Sequence, residues 1–333
     1  MVSLSLKLNL HPISLTLSPP IFAIQLQSHP SSKSNGGTPL SFIPPAKARL
    51  LHVIRTHCRN NSNISANSVA VQQEDSEEEE KFEVLTSTQS EYNKIVMLES
   101  KKCKVLLLDD SGNVHSILYK NQIWSNSYWD EFCSLPAMIS KGPVGIFGLG
   151  GGTVAHQLLH FWPSLVLHGW EVDHILIDRA RMYFGMSELE ISRKDGGILR
   201  VCVGDALSPS ATVAGGYAGI IVDLFSNAEV LPELEVATTW LEMRKKLMYN
   251  GRIMVNCGGA VQTATGWQMN PTIQALCEAF GGEFVNWKKM PDDQGGNYMA
   301  FTGPLPDMNS WSDSVPDKLR YAVNQWRPCH PVS

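Results

Sequence analysis

Four acids follow a glycine-rich turn at intervals that suggest one pocket. The turn reads "GPVGIFGLGGGTVAHQ" over residues 142–157, with the spacing Gly148-x-Gly150-x-Gly152 and then Thr153. Glycine accepts positive φ and carries no Cβ, so a ligand can pass against bare backbone. The dinucleotide fingerprint G-x-G-x-x-G, which seats a pyrophosphate on a helix N-terminus, would need glycine at 153. Thr153 breaks it, so the turn is read as a seat for an uncharged adenosyl group and its amino-acid tail. The plain alternative is a turn that only packs strand on helix. Glu171, 19 residues beyond Gly152 in "GWEVD", stands where an acid can accept both ribose hydroxyls. Asp173 lies on the same side of an extended chain, since side chains repeat every two residues. In "GDA", Asp205 is placed to accept an adenine amine while the backbone at Ala206 reads the ring edge. Asp223 in "IIVDLFS" is placed to hold a substrate amine or take part in proton transfer. Each of these acids could instead be a surface residue or a helix cap.

The elements that must position these residues alternate. Strands are predicted at 143–149, 164–173, 199–206, 217–225 and 251–258, with helices over "VAHQLLHFW", "HILIDRARMYF" and "PTIQALCEAF". A long helix is predicted over "ELEVATTWLEMRKKLMYN", stopped by Asn250-Gly251. Such βαβ alternation argues for a mostly parallel sheet covered on both faces. Near the end, "EFVNWKKM", the turn "PDDQGG" and "NYMAFTG" predict an antiparallel hairpin. The expected fold class is therefore α/β: a seven-stranded, methyltransferase-like (Rossmann-like) sheet with a C-terminal antiparallel hairpin. Ahead of it, "NKIVMLES", "CKVLLLDD" and "VHSILYK", with "DDSGN" as a turn, predict a small N-terminal antiparallel β-unit. "YWDEFCSLPAMI" reads as a helix leading to the glycine turn.

Residues 1–73 contain no Asp or Glu, six Lys or Arg, and many Ser. An acid-free, Ser-rich leader reads as a transit peptide, here of plastid type, and predicts location in the chloroplast stroma. Residues 74–83 read as an acidic linker, 84–140 as the β-unit with its connecting helix, 141–305 as the nucleoside-binding domain and 306–333 as a C-terminal tail. The chain has 27 bases and 32 acids; without the six leader bases, 21 remain against 32, a net −11. That balance disfavours nucleic acid and suits a cationic substrate. No apolar run reaches the roughly 18 residues of a membrane span. Seven scattered cysteines without a CxxC fit reduced thiols rather than a disulfide framework or zinc site. His156 and His160 lack a third ligand, so packing is preferred and no metal is expected. The segment at 262–270, with Trp267, is expected to be a lid.

From about residue 90 to 303 the chain resembles the polyamine aminopropyltransferases, the spermidine synthase family, above all its spermidine-synthase-like branch. "GLGGGT", "EVD", "GDA" and "VDLFSNAEVLPE" match that branch in order and spacing. "SEYNKIVM" resembles S-x-Y-Q-x-I, with Asn93 at the Gln position. "LLLDDSGNVHS" resembles L-x-LDG-x-x-Q, with His115 near the Gln. "SYWDEFCSLP" resembles Y-x-E with a later Pro, matched by Tyr128, Asp130 and Pro136. The resemblance implies a β-unit roofing the site, decarboxylated S-adenosylmethionine as aminopropyl donor, a polyamine acceptor and a homodimer. It implies nucleoside contacts from Asn93, Gly148, Gly150, Gly152, Glu171, Asp173, Asp205 and Ala206. Tyr128, Asp130 and Asp223 would orient and deprotonate the amine. One departure stands out: the family's D-S-S-D-P reads Asp223-Leu224-Phe225-Ser226 here, so Ser226 replaces the Asp assigned to deprotonation. The rival readings are a small-molecule methyltransferase using S-adenosylmethionine and a catalytically silent nucleoside-binding plastid protein.

Overall fold

The computed structural model describes residues 3–4, 80–109, 112–259 and 270–329. Nearly all of the expected leader, most of the acidic linker, and residues 260–269 with Trp267 lie outside the described residues.

The N-terminal unit is an antiparallel sheet of β1 (Ser3–Leu4), β2 (Phe82–Gln89), β3 (Lys94–Glu99), β4 (Cys103–Leu107) and β5 (Ser116–Tyr119), in chain order. Phe82, Val96, Leu98, Val105 and Leu107 form its small core. Tyr128–Met138 follows as the expected helix, of 3₁₀ type. Pro136 lies inside it and has no N–H to offer an i→i−4 ladder.

The main sheet has the order β15-β13-β14-β12-β9-β6-β7-β8. Its strands are β6 (Val144–Phe147), β7 (Val166–Glu171), β8 (Ile198–Val203), β9 (Tyr217–Val222), β12 (Leu247–Asn256), β13 (Val285–Lys289), β14 (Tyr298–Thr302) and β15 (Arg327–Pro328). Strands β6, β7, β8, β9 and β12 pair in parallel, and β14 runs antiparallel to both β12 and β13, the hairpin ending that was expected. The eighth strand, beyond the seven expected, is β15, which adds to the edge at Asn286 and Trp287. Ile221 of β9 faces one core while Ile220 and Val222 face the other. Burial on both faces is why "YAGIIV" reads as an unbroken apolar run. Helices α1 (Thr153–Phe161) and α2 (His174–Tyr183) supply Leu158, Leu159 and Ile177 to the first core. After a short α3 (Met186–Leu189), α4 (Ala237–Arg244) and α5 (Pro271–Phe280) supply Trp240 and Leu276 to the second.

The expected long helix does not reach Asn250. It is divided into a 3₁₀ turn at Pro232–Glu235 and α4, and Leu247–Asn256 joins the sheet instead. Pairing with β9 overrides helix propensity here, and Asn250, at φ +59°, sits in a register shift between Leu247 and Arg252. A small hairpin, β10 (Phe225–Ser226) with β11 (Glu229–Val230), follows β9. The C-terminal residues pack against the first core. Trp311 of α6 (Met308–Ser314) and Trp326 both stack edge-on to Phe301, and both are buried.

Candidate functional site

Register builds the site. Phe147 pairs with both Trp170 and Val222, and Val255 pairs with Val222. The next residues, Glu171, Gly148, Asp223 and Asn256, therefore stand side by side at the carboxyl edge of four parallel strands. Strand order reverses between β6 and β9, and open α/β sheets bind ligands in the crevice at such a point.

The glycine bend has φ of +91° at Gly148, +55° at Gly150 and +88° at Gly152. Part of its need for glycine is internal. A Cβ at Gly148 would lie 2.2 Å from the Asp223 carbonyl oxygen, and one at Gly151 would lie 2.8 Å from the Ser116 Cβ. The close neighbour at those positions is the protein's own chain, which the sequence reading had assigned to a ligand. Gly152 precedes α1 in a left-handed conformation. The Gly150 amide donates to Glu171 Oε2 at 3.0 Å, and the Asp173 amide donates to Oε1 at 3.2 Å. Burial raises the Glu171 carboxyl above its ordinary range, against the pull of these amides. Glu171 is only half-buried and its oxygens retain acceptor capacity for hydroxyls.

Asp223 is the second centre. Tyr128 Oη (3.2 Å) and Trp129 Nε1 (3.1 Å) donate to its Oδ2, and Asn256 Nδ2 (3.0 Å) donates to Oδ1. Asn256 is held in turn by the Gly258 amide and Asn297 Nδ2, which donate to its Oδ1. Burial raises Asp223 above the usual carboxylate range, and the donors of Asn256, Trp129 and Tyr128 oppose that rise. Burial and the Asp223 charge hold the Tyr128 phenol well above its ordinary value. Tyr128 thus acts as a hydrogen-bond donor and stays neutral. A carboxylate with one oxygen still able to accept can anchor an ammonium group.

Other expected site residues are occupied elsewhere. Asp173 is fully buried. Its Oδ1 caps α2 at the Ile175 and Leu176 amides, and its Oδ2 accepts from Ser90 Oγ (2.5 Å) and Asn93 Nδ2 (2.8 Å). Those four donors fill the acceptor sites of Asp173, and through them Ser90 and Asn93 fasten the β-unit to the main domain. Asp130 is equally saturated. The Ser125 amide and hydroxyl, the Asn126 amide, Gln157 Nε2 and Lys318 Nζ all donate to it. It clamps the C-terminal segment to the 3₁₀ helix, and it is not brought into the Asp223 cluster. Asp205 is exposed at the end of β8, with Oδ1 accepting from the Leu207 amide at 2.8 Å, while Ala206 is buried in the second core. Gly204 binds Glu171 through its amide (2.8 Å to the carbonyl), which keeps this loop beside the crevice. His156 bonds the Phe184 carbonyl at 2.8 Å and His160 stacks edge-on against Phe161. Among the described residues no cluster of potential ligands could hold a metal ion. Asn256 and Ser116 escaped the sequence reading. The position of Asn256 at a parallel-strand end was the signal available, whereas nothing local marks Ser116, which accepts from the Gly151 amide at 2.8 Å.

The β-unit covers this crevice. Ile117 exchanges hydrogen bonds of 2.9 Å with Thr153 Oγ1, and Lys104 Nζ donates to the Tyr183 carbonyl at 2.7 Å. Against solved structures, the chain superposes on the spermidine synthase of Thermotoga maritima with a TM-score of 0.52 at 16% identity, covering 71% of this chain and 77% of that one. The fold is that of the spermidine synthases. A spermidine synthase in complex with the transition-state analogue AdoDATO superposes with a TM-score of 0.50 at 18% identity, covering 71% of this chain and 77% of that chain. In sequence, a probable polyamine aminopropyl transferase of Bifidobacterium longum is 23% identical over 170 residues, half of this chain. The match spans 36% of that relative's own length. No protein-family model matches the chain. In this spermidine synthase-like fold, the β-unit and the glycine bend enclose one crevice between Glu171 and Asp223.

Proposed function

We propose that the chain binds decarboxylated S-adenosylmethionine and transfers its aminopropyl group to an amine of a polyamine. The observation that carries this reading is the presence of two half-buried carboxylates at the ends of the strands that flank β6, Glu171 on the glycine bend and Asp223 beneath Tyr128 and Trp129. Glu171 would accept the ribose hydroxyls, and Asp205 the adenine amine. Asp223 would anchor the acceptor as a cation and aim its neighbouring nitrogen at the carbon bonded to sulfur. The attacking lone pair forms the C–N bond while the C–S pair returns to sulfur, so a sulfonium leaves as a neutral thioether. The similarity to a polyamine aminopropyl transferase and the analogue-bound fold neighbour support this ligand class. Action in the plastid and a homodimeric state belong to the same proposal.

The test uses the full chain with S-adenosylmethionine or its decarboxylated form and a panel of polyamines. Methylthioadenosine is the expected product. S-adenosylhomocysteine instead would favour a methyltransferase. Neither product, with a nucleoside still raising the melting temperature, would favour the silent binder that an exposed Ser226 suggests.

A further inference from the structure

We infer that His115 accepts the proton that the attacking amine must lose, the task for which Ser226 stands in place of a carboxylate. The inference rests on the aminopropyl-transfer reading above.

His115 immediately precedes β5, and its amide is fixed to the Leu106 carbonyl at 2.8 Å across the β4–β5 hairpin. Its neighbour Ser116 receives the Gly151 amide at 2.8 Å, and the missing Cβ of Gly150 would lie 3.6 Å from the His115 carbonyl oxygen. The hairpin thus holds this residue directly over the glycine bend. The ring Nε2 lies 3.6 Å from Asp109 Oδ2, and the two side chains keep 16% and 18% of their surface exposed. Nε2 itself is buried and has no hydrogen-bond partner. A buried, unpartnered ring nitrogen at the roof of a crevice is a site for a donor that arrives with a ligand.

The charged groups facing the imidazole are Asp109 from its own hairpin and Asp223 from the end of β9, whose ionised form His115 favours. Imidazole as a class exchanges protons near neutrality, which an aliphatic hydroxyl does not. Ser226 is exposed on the β10–β11 hairpin, paired with Glu229, and its hydroxyl cannot hold a proton at this step.

The step balances. The bound ammonium gives one proton to His115 Nε2, which frees the nitrogen lone pair. That pair forms the new C–N bond, the C–S bond breaks toward sulfur, and the product nitrogen carries the positive charge the sulfonium loses. The imidazolium then releases its proton to water.

Full-length wild type, His115→Gln, His115→Ala and Asp109→Asn are compared in two measurements. Calorimetry reads binding of decarboxylated S-adenosylmethionine, and methylthioadenosine release is followed across pH with a polyamine. Binding is expected to stay within about twofold, while kcat of His115→Gln falls by about 10²–10³ and loses the acidic limb of its pH profile. Asp109→Asn should lower kcat by about tenfold, because a proton held on the ring loses a neighbouring anion. Free imidazole should partly restore His115→Ala. An active wild type whose His115→Gln variant keeps kcat and the same pH limb overturns the role of His115 and leaves the transfer reading standing. Loss of nucleoside binding in both His115 variants assigns the residue to structure and overturns it as well. A wild type that releases no methylthioadenosine overturns both.

Discussion

The Gly150 amide donates to the Glu171 carboxylate at 3.0 Å, so the glycine bend and the end of the adjacent strand form a single unit. The bond fixes the acid toward the crevice, where an ionised acceptor of two hydroxyls is worth most. Glu171→Ala should weaken binding of a sulfonium nucleoside by about 100-fold, since each hydrogen bond to a charged group contributes about 1.5–3 kcal/mol. Isothermal calorimetry reads this directly, and an affinity within threefold of wild type would remove Glu171 from the nucleoside site.

At Asp223 three donors converge on a carboxylate. Asp223→Asn should leave nucleoside affinity nearly unchanged and lower kcat/KM for the amine by about 100-fold through loss of the ammonium anchor. Tyr128→Phe removes one donor and should cost about tenfold or less. Equal losses in nucleoside binding and amine turnover would count against this division of labour.

Burial raises both Glu171 and Asp223 relative to an unfolded chain. The folded state therefore binds more protons than the unfolded state between the ordinary carboxyl range and the raised values. Stability of the ligand-free chain should fall as pH rises through that window and recover on acidification. Melting temperatures taken across it should show a shallower slope for Glu171→Gln than for wild type. An unchanged slope would mean that this carboxyl is solvated.

Gly148 and Gly196 share a positive φ, +91° and +87°, but only Gly148 abuts backbone. Gly196→Ala should cost about 1–2 kcal/mol, the conformational strain alone. Gly148→Ala must also move the Asp223 carbonyl and should lose clearly more, together with amine turnover. Urea melts of the two variants side by side provide the check, and equal costs would refute the packing argument.

Lys288 and Glu131 form a 2.7 Å ion pair with 2% and 5% of their side chains exposed. Burial lowers the lysine and raises the acid, while each partner opposes the other's shift. Lys288→Met alone should destabilise by about 3–5 kcal/mol because a buried carboxylate is left uncompensated. Lys288→Met with Glu131→Leu should recover most of that loss. A double variant as unstable as the single one would point to packing rather than charge.

The fold was legible where a local pattern carries it. Glycines at 148, 150 and 152 required a tight bend, apolar runs required buried strands, and "PDDQGG" between two such runs required a hairpin. The helix over "ELEVATTWLEMRKKLMYN" misled because its propensity is local, whereas the pairing of Leu247–Asn256 with β9 is not. The C-terminal segment, with its polar and Pro-rich stretches, reads as a tail until Trp311 and Trp326 meet Phe301.

The acids divide along the same line. By itself the sequence determined that carboxylates end successive parallel strands behind a glycine bend, because strand period and bend chemistry are written in neighbouring residues. Only the tertiary structure decided which of them keep acceptor capacity at the crevice. Ser90 and Asn93 fill Asp173 from 83 and 80 positions upstream, Lys318 reaches Asp130 from 188 downstream, and Glu171 and Asp223 keep room to accept. Hydrogen-bond capacity is finite, and the donors that consume it are distant in the chain.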